Sequence, residues 1–576
     1  MPNRRANGLR RDSPPANTLP VWTETATTAL AGVLVAYLLT RHGLLVQLPP
    51  QLDIVGRWLD GLLVVLLALD VLPLYRDRRT LRQVWYQEWL DTVLLAAALT
   101  ANLLRGWGVA FVLLRQVVHH GRHEALGRFV DALARRPIDL LAASYAALAV
   151  AGAALLLLPA ATTDGQGLSF VDAFFTAASA ACVTGLTVID IGSGLTRFGQ
   201  TVVLVLFQVG GLGIMTFYAG LASALGVRLT IAQRKSLTMT VEQPRGFELA
   251  HTLRYVLILT IVAELAGTAL LYPRMGAHFA TTGDSLFAAV FHSISAFCNA
   301  GFGLFTDSLA GFRDDWYVNL TIIGLIVLGG IGFSVAHELI SRRSLRRSPR
   351  AAWRGITTHS RLALSATGIL ILVATLAFFL FEHFNALAGL PIGTRFLASI
   401  FQAVTPRTAG FSTVSLSSLR PVTLIFWVLL MFIGASPGGT GGGIKTTTAA
   451  VLALSVRSQF RGREDIEYAG RTIPKVTVFR AAAVLVLSAM ALLIAFGTLL
   501  ITERQPFPDL LFETASAFGT VGLSTGITPL LTAAGKLVLA TLMYIGRIGP
   551  LTFVLAMRAR ERTSPVAYPT AQIMVG

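Results

Sequence analysis

Four short passages of related sequence recur along the chain at nearly equal intervals, each between two long apolar segments. Every passage has an apolar stretch of small residues, a polar kink, and then a glycine followed by Leu or Phe. The glycines are spaced by 116, 109 and 112 residues, and they are Gly185, Gly301, Gly410 and Gly522. Self-similarity at a fixed period predicts a fold that is built from repeated units.

The composition is that of a membrane protein. Of the 576 residues, 54% are hydrophobic and 13% are charged, whereas a soluble domain carries about 25% charged residues. Two shorter apolar pieces lie within 88–118. Segments long enough to span a bilayer are predicted at 25–46, 57–75, 138–159, 199–225, 255–272, 316–336, 363–381, 421–435 continued by 447–456, 480–501 and 536–557. The sequence therefore predicts an all-α polytopic membrane protein.

The basic residues predict how the chain is oriented in the membrane. Linkers 342–361 and 457–480 carry seven and six Lys/Arg, whereas the connections 186–198, 303–315 and 502–508 carry one each. Because positively charged loops stay in the cytoplasm, both termini are predicted to be cytoplasmic in a multi-pass protein of the cell inner (plasma) membrane. The net charge of +17 does not indicate nucleic acid, because the basic residues are not clustered as in a groove-binding domain.

The stretch GASPGGTGGGIKTTT at 434–448 is similar to a phosphate-binding loop but lacks its order. In that motif the lysine follows a glycine directly, between a strand and a helix, whereas Ile444 separates Gly443 from Lys445. The sequence also offers no convergent nucleophile, base or metal cluster. Only Cys182 and Cys298 are present, too few for a disulfide framework. We therefore predict that the protein is not an enzyme and that this chain binds no nucleotide.

The apolar part of each repeated passage is too short to cross a bilayer, which predicts a re-entrant pore helix and loop. Irregular backbone at membrane depth is tolerated only where it is buried in protein or lines a watery cavity. Each repeat is then a helix, a pore helix with its loop, and a second helix, and the four repeats surround one pseudo-fourfold pore. The predicted divisions are an N-terminal part with extra helices, then four repeats: 1–136, 137–227, 228–341, 342–458 and 459–576.

The residues at the four kinks are suited to holding a dehydrated cation. Selection requires carbonyl oxygens that replace the water shell of the ion, and glycine permits backbone geometries that aim successive carbonyls at one axis. The fourth kink, Thr520-Val521-Gly522, matches the start of the potassium-channel filter sequence. Helix packing alone would also favour glycine, but four aligned copies favour a filter. Potassium is predicted at the carbonyls of the four glycines, in a filter made of Val183, Thr184, Gly185, Asn299, Ala300, Gly301, Thr408, Ala409, Gly410, Thr520, Val521 and Gly522.

The second long helix of each repeat carries a glycine-rich midpoint, and the third repeat has an enlarged version at 434–446. Its glycines and proline make many conformations available to the backbone and leave few internal hydrogen bonds, so this segment is predicted to be a movable gate below the filter. Arg547 is expected to bind its carbonyls from across the pore, whereas Lys445 either shares that role or extends to the cytoplasmic face. The predicted gate residues are Gly438, Gly439, Thr440, Gly441, Gly442, Gly443, Lys445 and Arg547.

From about residue 138 to the C-terminus, the chain resembles the Ktr/Trk/HKT potassium-transport superfamily, and most closely the membrane subunit of the bacterial Ktr system. The motifs that carry the resemblance cover all four repeats: FTAASAACVTGLTVID, FGQTVVLVLFQVGGLGIMTF, HSISAFCNAGF, IFQAVTPRTAGF, LLMFIGASPGGTGGGIKTTT, FETASAFGTVGL and MYIGRIGPLTFV. The resemblance implies potassium uptake by a homodimer in which each subunit has its own pore. It also implies a cytoplasmic ring of nucleotide-binding regulatory proteins, and sodium as an activator of uptake.

The resemblance also bears on ion choice and on the N-terminus. Sodium-using members commonly have serine at the first filter glycine, so Gly185 favours potassium. A sodium-selective transporter of the same fold is the alternative. Residues 1–136 exceed what the Ktr-type subunit usually carries. Their helices have two interpretations: a packing scaffold, or a degenerate sensor-like unit that contains Arg105 and Arg115.

Other charged residues have two interpretations each. The aspartates Asp172, Asp284 and Asp509 stand near the starts of three pore helices and either cap them or draw cations to the outer mouth. For Glu264 and Glu513, a buried carboxylate held by a neighbouring hydroxyl or arginine is favoured over ion binding. One expected partner of Glu513 is Arg407, beside the third filter passage.

Overall fold

The structure, a computed structural model, describes residues 137–213, 249–279, 281–341, 353–550 and 552. All of them belong to one compact unit that comprises residues 131–223 and 228–576. The predicted helices within 1–136, and therefore the sensor-like and scaffold interpretations, lie outside the described residues.

The described chain is mainly helical, and its elements are grouped here by the predicted repeat bounds. Repeats one and two contain α1 (Pro137–Leu156), α2 (Phe170–Ala181), α3 (Arg197–Leu212), α4 (Leu249–Met275), α5 (Thr282–Cys298), α6 (Trp316–Gly330) and α7 (Phe333–Ser341). Repeats three and four contain α8 (Thr358–Glu382), α9 (Ile392–Val404), α10 (Pro421–Phe432), α11 (Thr446–Phe460), β1 (Ile466–Tyr468), β2 (Arg471–Ile473), α12 (Lys475–Thr502), α13 (Phe507–Gly519) and α14 (Ala533–Ile548). Short helical turns connect them at Pro159–Ala161, Ile191–Gly194, Gly276–His278, Ala310–Phe312, Leu416–Ser418 and Thr528–Leu530.

Four short helices stand where pore helices are predicted. They are α2, α5, α9 and α13, of 12, 17, 13 and 13 residues. At about 1.5 Å per residue, none reaches the roughly 30 Å of a hydrocarbon core. Each is therefore too short to cross a bilayer by itself, and its C-terminus leads directly into a glycine-containing loop.

The helices pack in a cyclic order. Each pore helix packs on the first helix of its own repeat and on the second helix of the preceding repeat, and α2 of the first repeat packs on α14 of the fourth. The remaining contacts between neighbouring repeats are α5 with α3, α9 with α6, and α13 with α10. The buried aromatic side chains lie along these contacts, and they include Phe207, Phe291, Phe297, Trp427, Phe512 and Phe518.

The second helix of each repeat is shorter than predicted, because it is interrupted. Gly213, Gly332 and Gly549 follow the ends of α3, α6 and α14, with φ values of 73°, 92° and 93°. These left-handed conformations are available to glycine but costly for other residues, so α3, α6 and α14 end at these points within the apolar segments 199–225, 316–336 and 536–557. In the third repeat the break is longer and occupies 433–445, between α10 and α11.

By length and composition, three helices within the described ranges could cross a membrane: Tyr255–Met275 within α4, α8 and α12. A fourth span results if α6 and α7, bent by 105°, are counted together. The predicted spans at 25–46 and 57–75, and parts of those at 199–225 and 536–557, lie outside the described residues.

A small hairpin corrects the all-α prediction. Strands β1 and β2 pair antiparallel, with Tyr468 opposite Arg471, in the basic linker before α12. Its two turn residues, Ala469 and Gly470, both have positive φ values, of 52° and 76°. This is the conformation that fits the twist of a two-residue hairpin.

Carboxylates fix two of the turns between repeat elements. At the end of α8, Glu382 accepts hydrogen bonds from the backbone N–H of Arg420 at 3.0 Å and from the hydroxyl of Thr423. At the end of α12, Glu503 accepts from the N–H of Thr532 at 3.0 Å and from its hydroxyl at 2.5 Å. In repeats three and four, the first helix therefore holds the N-terminus of the second, which sets the frame around each pore loop.

Candidate cation-binding site

The four loops after the pore helices share one backbone conformation. The first residue of each loop has a positive φ although it is not glycine: 58° at Val183, 59° at Asn299, 69° at Thr408 and 51° at Thr520. Two residues later comes a glycine with φ between 73° and 93°, at Gly185, Gly301, Gly410 and Gly522. Positive φ is unfavourable for a β-branched residue, so its recurrence at aligned positions indicates a conformation that the surrounding structure imposes.

The four glycines adjoin one another and close a ring. At each, a Cβ atom would collide with the backbone of the next loop in chain order, and the fourth loop meets the first. A Cβ atom on Gly185 would collide with the carbonyl oxygen of Ala300, and one on Gly301 would lie 2.8 Å from Cα of Gly410. A Cβ atom on Gly410 would lie 2.5 Å from the carbonyl oxygen of Val521, and one on Gly522 would collide with the carbonyl oxygen of Thr184. Glycine is thus required at all four positions by close approach as well as by φ.

Serine hydroxyls in the first and fourth pore helices hold their loops in an identical way. Ser179 accepts a hydrogen bond from the N–H of Gly185, and Ser516 accepts one from the N–H of Gly522, both at 3.1 Å. Each bond joins a pore helix to the filter glycine six residues later. The orientation of the loop is therefore set by the helix that precedes it.

The second and third repeats use a hydroxyl in a related way. Ser295 donates to the carbonyl of Phe302 at 2.7 Å, and Thr405 donates to the carbonyl of Phe411 at 2.5 Å. The sequence analysis missed these four hydroxyls, since serine among alanines resembles a packing residue. Their recurrence five or six residues before the glycine could have indicated the role.

Glycines of the interrupted helices lie directly against the C-terminal ends of the pore helices. A Cβ atom on Gly210 would collide with the carbonyl oxygen of Ala181 in the same repeat. In the same way, a Cβ atom on Gly329 would meet the oxygen of Phe297, and one on Gly546 would meet the oxygen of Phe518. These three carbonyls occupy the same place, four residues before the filter glycine. The glycine-rich midpoints therefore permit helix backbones to support the loops from below.

The interrupted segment 433–445 is closed on itself at its base. The N–H of Gly434 donates to the carbonyl of Ile444 at 2.8 Å, and that of Thr446 donates to Ala435 at 3.2 Å. The hydroxyls of Ser436 and Thr446 are 2.9 Å apart. The two ends of the segment thus lie side by side, and the residues between them form a loop.

Other repeats hold the tip of this loop. Its bonds to the second repeat run from Ser436 N–H to Gly330 O at 3.0 Å, from Thr440 N–H to Gly329 O at 3.2 Å and from Phe333 N–H to Gly438 O at 2.9 Å. One bond to the fourth repeat runs from Gly443 N–H to Gly546 O at 3.2 Å. The conformational freedom expected from the glycines is therefore restricted, because neighbouring repeats satisfy the polar backbone that an interrupted helix exposes.

The loop lies against the first residues of two filter passages. The N–H of Gly442 donates to the hydroxyl of Thr520 at 3.0 Å. Gly441 approaches Thr408 so closely that a Cβ atom would collide with its hydroxyl. Both threonines have the left-handed conformation described above, so the predicted gate residues and predicted filter residues are in direct contact.

Arg547 joins three repeats. From the last turn of α14, its guanidinium donates to the carbonyls of Thr440 in the loop and of Gly210 in the first repeat. Its Nε donates to the Tyr145 hydroxyl at 3.2 Å, and that hydroxyl donates to Gly210 O at 3.1 Å. A planar guanidinium with five donors suits such a group of carbonyls. The sequence predicted the loop contact but not those with Tyr145 and Gly210.

Lys445 is bonded within the loop. Its Nζ donates to the carbonyl of Gly441 at 2.9 Å. This geometry favours a role in the loop over extension toward the membrane surface.

The expected pair of Arg407 and Glu513 does not form. The guanidinium of Arg407 donates to the hydroxyl of Thr367 at 3.2 Å and to its carbonyl at 3.3 Å. The carboxylate of Glu513 accepts from the hydroxyls of Ser524 and Thr528, the latter at 3.1 Å. The expectation of an ion pair was wrong because hydroxyls nearer in the sequence occupy both groups.

Glu264 is part of a buried polar contact between the first two repeats. Its carboxylate accepts from the amide of Gln208 at 3.1 Å, and the thiol of Cys298 donates to the oxygen of that amide at 3.2 Å. The partner is thus an amide, in place of the hydroxyl or arginine expected.

Two of the pore-helix aspartates link neighbouring repeats. The helix caps are Ser169 and Thr281, three residues earlier, so Asp172 and Asp284 are not the capping residues themselves. Asp172 binds Lys536 of the fourth repeat at 2.6 Å, and Asp284 binds Arg197 of the first. Hydrogen bonds from Arg197 and Thr281 lower the pKa of the Asp284 carboxyl below its usual value. Asp509 begins α13 without such a pair among the described residues.

The family model of the TrkH cation transport proteins matches residues 122–564. The chain is 40% identical over 442 residues to the Ktr system potassium uptake protein B of Bacillus subtilis, which covers 76% of this chain and 97% of the relative. It is 38% identical over 439 residues to the Vibrio alginolyticus protein of that name, covering 75% and 93%. The potassium/sodium uptake protein NtpJ of Enterococcus hirae is 34% identical over 455 residues, covering 76% and 97%.

Among solved structures, the crystal structure of the potassium transporter TrkH from Vibrio parahaemolyticus superposes with a TM-score of 0.58. It covers 93% of this chain and 98% of its own, at 20% sequence identity, which supports a shared fold. The chain is therefore a helical membrane protein and not an enzyme, and it belongs to the TrkH family of cation transport proteins.

Proposed function

We propose that the protein takes up potassium across the cell membrane through one filter formed by its four glycine loops. The observation that carries this proposal is the closed ring of Gly185, Gly301, Gly410 and Gly522, each with positive φ and each against the next loop. Backbone carbonyls arranged around one axis replace the water shell of a cation. The four pore helices end at this ring, where the partial negative charge of each helix C-terminus favours a cation.

The relatives support potassium as the ion. Two are named potassium uptake proteins of the Ktr system, and a third is named a potassium/sodium uptake protein. Because that third name includes sodium, a sodium-selective transporter of the same fold is the alternative to test. The name also fits sodium as an activator of uptake. Glycine at position 185, in place of serine, favours potassium. The driving force is the electrochemical gradient of the ion, worth about 2.3 kcal/mol per charge for each 100 mV.

The loop 434–446 is proposed as the gate. It lies in contact with Thr408 and Thr520 at the base of two filter passages, and Arg547 holds it to the first repeat. In this closed arrangement the loop obstructs the path below the filter. For the loop to open, its hydrogen bonds to the second and fourth repeats and to Arg547 must break together. The change from closed to open loop is therefore proposed to be two-state.

We further propose that the subunit works as a homodimer with one pore in each copy, regulated by a cytoplasmic ring of nucleotide-binding proteins. The word "system" in the relatives' names supports partner subunits. Basic linkers at 228–254, 342–361 and 457–480 would provide a docking surface, and the hairpin β1–β2 belongs to the last of them. In this proposal both termini and these linkers are cytoplasmic, as the basic linkers predict, and the filter loops enter from outside.

Replacing a filter glycine should relax ion selection. We expect Gly185→Ser and Gly410→Ser to raise the sodium-to-potassium flux ratio by about tenfold, or about 1.4 kcal/mol of discrimination, because a side chain displaces the neighbouring carbonyl. The measurement is tracer flux into proteoliposomes. Gly497→Ser is the matched control, since a Cβ atom there meets no neighbouring atom. Unchanged ion preference in both filter variants would contradict a shared filter.

Weakening the gate should raise flux without altering ion preference. Arg547→Ala removes the bonds to Thr440 and Gly210, and a loss of about 1.5 kcal/mol from the closed state shifts the open-to-closed ratio about tenfold. Shortening 438–443 should act in the same direction. Exposed Arg457, replaced by alanine, is the control. If both gate variants are folded in the membrane and conduct no faster than the parent, the loop is a structural kink and the gate lies elsewhere.

The regulatory partner should be recovered with the protein. Purification of the tagged chain from its native membrane in mild detergent is expected to yield a soluble nucleotide-binding protein in stoichiometric amount, identified by mass spectrometry. Neutralising the basic residues of 457–480 should reduce that recovery, because docking depends on charge. A solitary subunit that keeps full regulation would contradict the proposal.

A further inference from the structure

A cavity outside the filter and gate lies at the opposite ends of α8 and α12 from the pore loops. It has a volume of about 800 Å³ and is enclosed by the start of α8, the first two turns of α11, strand β2 and the start of α12. Four arginines line it, Arg354, Arg361, Arg471 and Arg480. Neither the filter nor the gate uses any of them, although all four belong to the basic linkers 342–361 and 457–480 that are proposed above as a docking surface, so their lipid binding is tested on the purified chain without that partner.

The charge of this cavity is uncompensated in the described part of the chain. Its lining contains no aspartate or glutamate, and none of the four arginines takes part in the ion pairs found there. Arg361 is held in place by the carbonyls of Ile356 at 3.0 Å and Arg354 at 2.8 Å. These contacts position its guanidinium but do not neutralise it.

A carboxylate bonded to the lining residue Thr357 is already engaged. Glu338, which does not line the cavity, accepts hydrogen bonds from the N–H of Thr357, the N-cap residue of α8, at 2.8 Å and from the Ser360 hydroxyl at 2.6 Å. The hydroxyls of Thr472 and Thr477 do line it. Guanidinium groups together with hydroxyl donors are the combination that binds phosphate oxygens.

The position of the cavity indicates which kind of molecule carries the phosphate. Both α8 and α12 are long and apolar enough to cross a membrane, so the cavity lies where the apolar layer ends. On the first turns of α12, Val476 and Phe479 are 59% and 72% exposed, next to the lining residues Thr477 and Arg480. Along α8, Ile369 and Leu372 are each 61% exposed. A basic cavity continued by exposed apolar helix surface fits a phosphate headgroup with its acyl chains.

We propose that this cavity, the four-arginine cavity, binds a phosphate-bearing anion and that an anionic phospholipid headgroup is its source. The arginines hold the phosphate, and the acyl chains lie on the apolar faces of α8 and α12. Because α11 continues the gate loop 433–445 and contributes Thr447, Thr448 and Val451 to the lining, the bound lipid contacts the helix that the gate must move.

The test uses the purified full chain in neutral detergent, titrated with phosphatidylglycerol or phosphatidylcholine and followed by native mass spectrometry. The parent is expected to bind phosphatidylglycerol at least about tenfold more tightly, since basic residues at a membrane surface favour anionic lipids. The double variant Arg471→Gln/Arg480→Gln should lose this preference. Arg457→Gln/Arg461→Gln removes the same charge from exposed positions outside the cavity and should keep it.

A second variant protects the test against misfolding. Thr477 is exposed at the rim, and Thr477→Glu should also abolish the preference by placing a negative charge beside the phosphate. Excess inorganic phosphate distinguishes the source: displacement of phosphatidylglycerol means that a free phosphate satisfies the site, whereas retention means that the lipid is recognised as a whole. Equal binding of the two lipids by the parent would overturn the proposal. An equal loss of the preference for phosphatidylglycerol in both arginine double variants would also overturn it.

Discussion

The close approach of four backbone loops constrains the rest of this structure. At Gly185, Gly301, Gly410 and Gly522, each loop lies against the next so tightly that no Cβ atom fits. All four glycines also have positive φ, and the structure holds their loops from two sides. Hydroxyls of the pore helices bond to the loops, and glycines of the interrupted helices pack against the pore-helix ends. The four glycine loops, the short helices that precede them and the helix breaks are thus parts of one arrangement.

The interrupted helix of the third repeat has a different role from the other three. Its loop satisfies its backbone polar groups on the second and fourth repeats, and Arg547 ties it to the first. A loop that depends on three neighbours is stable only while they keep their positions. Movement of any repeat, or of α11 at the four-arginine cavity, would therefore be transmitted to the loop. In the proposed gating, a packed and hydrogen-bonded loop of this kind would move between two discrete arrangements.

Much of this could be predicted from the sequence because the signal is repeated. A single glycine after a short apolar stretch indicates little, but four aligned copies indicate re-entrant loops, and the same comparison located the helix breaks. Hydropathy did not show where the second helices end, because a glycine with positive φ interrupts a helix without changing its apolarity. The pore-helix hydroxyls resembled packing residues. Ion pairs such as Asp172 with Lys536 join residues 364 positions apart, a distance over which no sequence pattern indicates contact. The hairpin was missed because Ala-Gly is a weak turn signal.

The measurement that most directly tests the central claim, that the four loops form one potassium filter, is ion flux into proteoliposomes that contain only the purified chain. Potassium and sodium are supplied separately at equal concentration under the same membrane potential, and protein-free liposomes give the background. We expect potassium to enter faster than sodium, and excess sodium to leave potassium entry largely undiminished, because in the proposed filter the loop carbonyls replace the water shell of potassium. Equal entry of the two ions, or faster entry of sodium, would contradict a potassium-selective filter at these glycines.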